Sequence, residues 1–392
     1  MMTLALVFPV LPPAIDGIGA YTARLAEALA TTADVSIYTA AKTATVAPSV
    51  RVVPEAFSVD APSGIWRLQS EIHRTPPDWL VVQYNPFSYG RWGYNPDLPR
   101  LLYRLRRECP TLRIAVMVHE PFVPVDRWQW ALMTTWQRAQ LWALGRTADA
   151  VFFSTAPWSQ RFQSWFPNTP VSHLPVGSNI PRAHVDRNAS RSALGYEPDD
   201  LVVGIFGSGH FSRLLDFAHA GIDALQSARL NARVLYVGPA GQKVRAALPT
   251  VPVHDAGALP DSEVSRHFAA MDLYLAPFRK GASTRRGSLL VGLQHGIPSV
   301  STYGAHTDDL FYREAETSLL MAPDDRPDVY AQQVMRLGQD PALRAKIGLG
   351  GQRLFDSTFT WSSIAGRMMK TLSTIGTEPK GSTPSSGQPL PA

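Results

Sequence analysis

The residues best suited to chemistry gather in Ala276-Pro277-Phe278-Arg279-Lys280-Gly281-Ala282-Ser283-Thr284-Arg285-Arg286-Gly287-Ser288. An apolar run feeds this basic Gly/Ser/Thr turn. An apolar helical pattern, Leu289–His295, follows and is closed by Gly296-Ile297-Pro298. Cations and free backbone N–H groups at one helix N-terminus are what a diphosphate needs. A solvated basic loop is the plainer reading, although such loops seldom lead into so apolar a helix. A second turn, Phe206-Gly207-Ser208-Gly209-His210-Phe211-Ser212-Arg213, repeats the strand, glycine turn and helix. It is expected to place Arg213 on the first helical turn, within reach of a phosphate. A third, ending in Asp16-Gly17-Ile18-Gly19, has Thr22 where a dinucleotide fingerprint needs its last glycine, and a plain tight turn accounts for it equally. His119, in His119-Glu120-Pro121, ends an apolar run. At the carboxyl end of a parallel strand an imidazole faces the ligand crevice, where it can bond a hydroxyl or take up a proton. A loop-capping histidine satisfies the same pattern.

Positioning these groups requires alternating elements. Met2–Phe8, Asp34–Tyr38, Trp79–Gln83, Ile114–Val118 and Ala150–Ser154 read as buried parallel strands. Gly19–Ala30, Leu98–Arg107 and Arg127–Leu144 read as helices between them. A second series has strands at Leu201–Phe206, Arg233–Val237, Asp272–Ala276 and Pro298–Ser301, and helices at Arg213–Ser227, Ser262–Ala270 and Gly287–His295. Two such blocks predict an α/β protein of two doubly wound, Rossmann-like domains. The break is expected in Leu174–Arg187, which mixes Pro, Gly, Ser and Asn, giving domains 1–178 and 179–356.

Length and composition bound the rest. At ~150 residues per domain, 392 residues predict two domains, and 45% hydrophobic with 18% charged residues exclude bulk disorder. No run approaches the ~20 apolar residues of a membrane-spanning helix. Met1–Pro9 has no basic residue before its short apolar run and does not read as a signal peptide. Cys109 is the only cysteine, which excludes an internal disulfide and multi-cysteine zinc sites. A cytoplasmic setting is expected. The net charge of +5, mostly an arginine excess, points to anionic partners without identifying them.

The two-block pattern, the Gly17–Gly19 turn opening a helix at Tyr21-Thr22, His119, the Phe206–Arg213 turn and the Gly281–Pro298 segment together resemble retaining glycosyltransferases of the GT-B fold, family four (group 1). The resemblance covers Thr3 to Leu372. It implies two Rossmann-like domains facing a cleft, with the nucleotide diphosphate sugar on the second and a saccharide or lipid-linked acceptor on the first. By this resemblance His119, Arg213 and Arg286 are the catalytic candidates. Gly17, Gly19, Gly207, Ser208, Gly209, Ser283, Thr284, Arg285, Gly287 and Ser288 would contact the donor, and Tyr84, Asn85 and Glu120 the acceptor. Neither a metal nor a cofactor is expected, because arginines and helix N-termini neutralise the leaving diphosphate. One departure stands out. The family has two glutamates eight positions apart, which fall here on Ser283 and Val291. Gly281-Ala282-Ser283-Thr284-Arg285-Arg286-Gly287-Ser288 is similar to a subgroup that uses the serine and arginines instead. Two rival readings are an inactive, glycosyltransferase-like binding subunit and a GT-B-fold sugar-nucleotide epimerase. The latter needs an acid/base pair where only His119 is evident.

Nine of the ten tryptophans lie between Trp66 and Trp165, several interleaved with Arg127, Arg138 and Arg146. Leu98–Arg107 is a basic amphipathic pattern. Such residues suit a membrane interface, a sugar-stacking platform or simply the core, and no nucleic-acid module accompanies them. Peripheral contact with the inner membrane face is therefore an expected partner interaction, and nucleic acid is not. Phe359–Leu372 is expected to form a final helix, within 357–375, that packs back on the first domain. Gly376–Ala392 is expected to be a disordered tail.

Overall fold

Short apolar runs rich in Val, Ile, Leu and Phe, without the alternation of a half-exposed strand, form sheets covered on both faces. β4 (Trp79–Tyr84) is buried at all six positions. The computed structural model describes residues 1–377 except 62, 126, 127 and 184, and not the side chain of 129. Its chain divides into two compact units, Met1–Pro175 with the segment from Trp361, and Val176–Thr360. The division at Pro175 falls inside the expected Leu174–Arg187 break, three residues before the expected boundary. The expected tail lies, from residue 378, outside the described residues, as does the expected helix start at Arg127.

The first unit is a seven-stranded sheet in the order β3-β2-β1-β4-β5-β6-β7. Its other strands are β1 (Thr3–Val7), β2 (Asp34–Tyr38), β3 (Arg51–Val53), β5 (Arg113–Val118), β6 (Ala150–Phe153) and β7 (Val171–His173). Every neighbouring pair is parallel. Its helices are α1 (Gly17–Leu29), α2 (Arg67–Arg74), α3 (Pro86–Tyr89), α4 (Asp97–Glu108), α5 (Trp128–Thr147) and α6 (Ala156–Phe162).

The second unit is a six-stranded sheet, order β10-β9-β8-β11-β12-β13, again all parallel. The strands are β8 (Leu201–Phe206), β9 (Ala232–Val237), β10 (Val253–Asp255), β11 (Leu273–Ala276), β12 (Ser299–Tyr303) and β13 (Leu320–Pro323). The helices are α7 (Arg187–Ala193), α8 (Leu215–Ser227), α9 (Gly241–Ala247), α10 (Asp261–Ala270), α11 (Gly287–Gln294), α12 (Asp309–Arg313), α13 (Pro327–Gln339) and α14 (Pro341–Thr358). Successive residues of β8 enter opposite cores, Leu201, Val203 and Ile205 on one side and Val202 on the other. The expected doubly wound α/β architecture is therefore present in each unit.

The chain closes with α15 (Trp361–Gly376), which packs on α1 and buries Ile364, Ala365, Met368, Leu372 and Ile375. Phe359, expected on this helix, instead belongs to the second unit's core, where its ring lies parallel to Phe311 at 6.3 Å. The edge strands β3, β7 and β10 have three residues each and are only half-buried or exposed, so they carry no apolar run to read. The helix α14 also escaped the pattern, because Gly348, Gly350 and Gly351 depress its propensity. Gly348 is needed there for contact, since a Cβ on it would lie 2.3 Å from the carbonyl oxygen of Gly296.

Candidate anion-binding site

Three elements of the second unit converge on one basic cluster. β8 ends at Phe206 and enters the Gly207–Ser212 turn, where Gly207 takes φ +121°. Only glycine adopts that backbone readily, and its carbonyl then accepts a bond from the Tyr236 hydroxyl at 2.7 Å. Arg213 follows, not on the first turn of α8 as expected but two residues before it, in an antiparallel bridge with Phe278. Its guanidinium donates to the carbonyls of Phe206 (2.5 Å) and Leu275 (3.4 Å) and to the Ser288 hydroxyl (3.2 Å). These bonds tie the arginine to the ends of two strands and to the first turn of α11.

Arg286 occupies the N-cap position of α11, and no side-chain bond caps that helix. The Arg286 guanidinium donates to Ser212 Oγ at 3.0 Å. Phe278, just after β11, has both guanidinium carbons over its ring, Arg213 at 4.5 Å and Arg286 at 4.7 Å from the centroid. Two like charges are held close by one aromatic quadrupole, the helix dipole adds positive potential, and no acidic residue stands in the first turn of α11. Lys243 of α9 adds a third cation, donating to the Gly209 carbonyl at 2.7 Å. The arrangement can take up a doubly charged anion.

Gly207, Ser208, Gly209, Arg213, Arg285, Arg286, Gly287 and Ser288 are thus gathered in one region, all half-buried or exposed. Ser283 and Thr284 are corrected. Both are buried, and Thr284 spends its N–H and its hydroxyl on the Asp308 carboxylate at 2.8 and 3.2 Å. They brace the loop from beneath. Phe278 and Lys243 were not anticipated. Phe278 lay within the motif but carries no charge, and Lys243 lies 30 residues beyond the glycine turn in an ordinary helical stretch.

The first unit treats its candidates differently. Two N–H groups of the Gly17–Gly19 turn are already engaged, because the Asp16 carboxylate caps α1 by accepting from Ile18 (2.9 Å) and Gly19 (2.7 Å). Tyr84 is 1% exposed and lies parallel to Tyr89 in the core, so its expected acceptor contact is corrected. Asn85 accepts from the Phe87 amide at 3.0 Å as the N-cap of α3. Glu120 is half-buried just past β5. His119 is 7% exposed, with Nε2 2.8 Å from Gln83 Oε1 and its ring edge-on to Tyr21 at 4.8 Å.

Burial lowers the His119 pKa to about 3, because the imidazolium would lose its hydration. The ring is neutral near pH 7 and acts as a hydrogen-bonding group rather than a proton carrier. The unfolded chain takes up a proton near pH 6.5 that the folded chain refuses, so stability falls as pH drops from about 6.5 towards 3. At pH 5 this costs about 2 kcal/mol. Urea unfolding of wild type and His119→Gln at pH 7.5 and 5 should show a gap that narrows by that amount in acid. A constant gap would contradict the neutral, buried ring.

Among the described residues no three His, Cys, Asp or Glu side chains gather as a metal-holding group, and no helix is long and apolar enough to cross a membrane. The sequence matches no protein-family model and no curated protein. Solved structures do resemble it. A sucrose-phosphate synthase from Thermosynechococcus elongatus superposes with TM-score 0.74 at 16% identity, over 96% of this chain and 99% of that one. WaaG, a glycosyltransferase of lipopolysaccharide biosynthesis, gives 0.68 at 16% identity over 94% and 99%. Anabaena HepE, solved with UDP and glucose, gives 0.66 at 16% identity over 95% and 100%. Likeness along nearly the whole of each chain, together with two all-parallel doubly wound sheets, makes this a protein of the GT-B fold.

Proposed function

We propose that the chain is a glycosyltransferase that moves a sugar from a UDP- or GDP-linked donor to a saccharide or lipid-linked acceptor, with retention of anomeric configuration. The observation that carries this reading is the pair Arg213 and Arg286, held over Phe278 beside the uncapped N-terminus of α11. A leaving diphosphate gains negative charge as the bond from its oxygen to the sugar breaks. Fixed cations and a helix N-terminus stabilise that charge more than they stabilise the intact donor. The acceptor hydroxyl would attack from the same face and pass its proton to the departing phosphate oxygen. His119, neutral, would orient a hydroxyl of the sugar or acceptor. That His119 bonds the neutral Gln83 amide, with no acid or base as its hydrogen-bond partner among the described residues, favours transfer over epimerisation. HepE bound to UDP and glucose supports a uridine donor for this fold.

Titration calorimetry with UDP, GDP and AMP tests the reading. UDP or GDP is expected to bind at least tenfold more tightly than AMP, and equal affinities would overturn it. A panel of nucleotide sugars should then yield turnover that survives EDTA, since the arginines supply the positive charge. Loss in EDTA with recovery on Mn²⁺ or Mg²⁺ is the contrary outcome. The second reading, an inactive binding subunit, draws on Ser283 and Val291, both buried, where carboxylates would otherwise meet the donor. Tight UDP binding without turnover across the panel would favour it.

A further inference from the structure

We propose that the outward faces of α4 and α5 form a docking surface for an anionic lipid bilayer. The solvent side of α5 carries Trp128, Leu132, Thr135, Ala139, Trp142 and Arg146, at spacings of three and four that place them on one face. Trp128 is 83% exposed, Leu132 68% and Trp142 51%. The helix contains no Asp or Glu. Large apolar side chains turned to water along one helix face mark an interaction surface rather than a solvated one. Alongside, α4 turns Arg100, Tyr103, Arg104 and Arg107 outward.

Between the two helices runs a groove of about 900 Å³, lined by four arginines and one glutamate. Arg104 lies 4.8 Å over the Trp66 ring, Arg107 5.9 Å over Tyr103 and Arg146 5.6 Å over Trp142. Among the described residues none of these three arginines pairs with a carboxylate. The single glutamate, Glu108, is engaged by His73 at 3.3 Å and Gln69 at 2.5 Å. Guanidinium groups cover the aromatic faces, which argues against a stacking platform for sugar rings and for a partner that presents many anionic groups.

The shape selects the partner. Twenty helical residues span about 30 Å. An elongated stripe with Trp128 and Leu132 at one end and Trp142 among arginines at the other matches a plane of phosphate headgroups over acyl chains. Tryptophan and tyrosine settle at that boundary and arginine bonds the phosphates. Exposed Trp92 and Tyr94 extend the patch, Trp136 of α5 donating to the Trp92 carbonyl at 3.2 Å and standing 6.0 Å from the Tyr94 ring. The surface uses only the first unit and does not depend on the donor reading above, although it suits a lipid-linked acceptor.

The test is cosedimentation of the full chain with vesicles of phosphatidylcholine alone or equimolar with phosphatidylglycerol, without nucleotide. The protein is expected to bind the anionic vesicles, with a blue shift of tryptophan emission, and to be released by high salt. At about fivefold per cation, the triple variant Arg104→Gln, Arg107→Gln, Arg146→Gln should bind them roughly a hundredfold more weakly. Trp128→Ser with Leu132→Ser should remove the blue shift. UDP affinity should stay unchanged in both variants, which separates failure here from failure of the donor site. No partition onto anionic vesicles, equal binding to neutral ones, or a triple variant that binds like wild type would overturn the proposal. So would tighter binding to single-stranded RNA than to the vesicles, which would reassign the surface to nucleic acid.

Discussion

A chain ending at Thr360 is expected to lose most of the stability of its first unit, whereas a chain ending at Thr377 should unfold like the full-length protein. The difference is α15, whose Ile364, Met368, Leu372 and Ile375 are buried on the first unit, with Trp361 5.3 Å from the Tyr21 ring. At ~1.5–3 kcal/mol for each large side chain, the four contribute ~6–12 kcal/mol as an upper estimate. That is comparable with the entire ~5–15 kcal/mol of a typical domain. Ending at Thr360 rather than earlier keeps Phe359 in the second unit's core. Any loss then reads on α15 alone. Urea denaturation followed by tryptophan fluorescence reports on the first unit, which holds all ten tryptophans. Coincident transitions for the two truncations would show that α15 is only loosely attached.

Arg286→Ala should weaken UDP binding by ~1.5–3 kcal/mol, about ten- to a hundredfold, the range of a hydrogen bond to a charged group. The same loss is expected for Arg213→Ala. That variant also frees the Phe206 and Leu275 carbonyls, so it should melt earlier as well. Arg286 donates to Ser212 Oγ and lies over the Phe278 ring, and its replacement is read on affinity. Arg286→Lys should recover part of the affinity, because a point charge returns without the planar fork that lies over Phe278. The losses should be equal for UDP and for a sugar donor, since the cluster acts on the diphosphate. Calorimetry that finds wild-type affinity in both alanine variants would remove the site.

The anion site was legible in its charges and obscure in its supports. Arg213 and Arg286 lie 73 positions apart, yet each sits in a glycine-rich turn after an apolar run, which local pattern reveals. Nothing local tells that Ser283 and Thr284 turn inward, Thr284 to Asp308, or that Phe278 lies beneath two guanidinium groups. The reverse happened at Gly17–Gly19, where the neighbouring Asp16 supplies the anion for the helix N-terminus. Tyr84 followed the same course, being polar by type but enclosed because every position of β4 is covered.

The α/β class, the two blocks of parallel strands and the basic turns at their carboxyl ends could be read from the amino-acid order. Those features follow from hydrophobic period and from the backbone needs of glycine, both properties of a few adjacent residues. Which polar groups remain open to a ligand, where the edge strands pair, and that α15 joins the first unit while Phe359 joins the second emerge from the folded chain alone. Burial and hydrogen-bond partnership are set by residues far apart in the chain, so no local pattern encodes them.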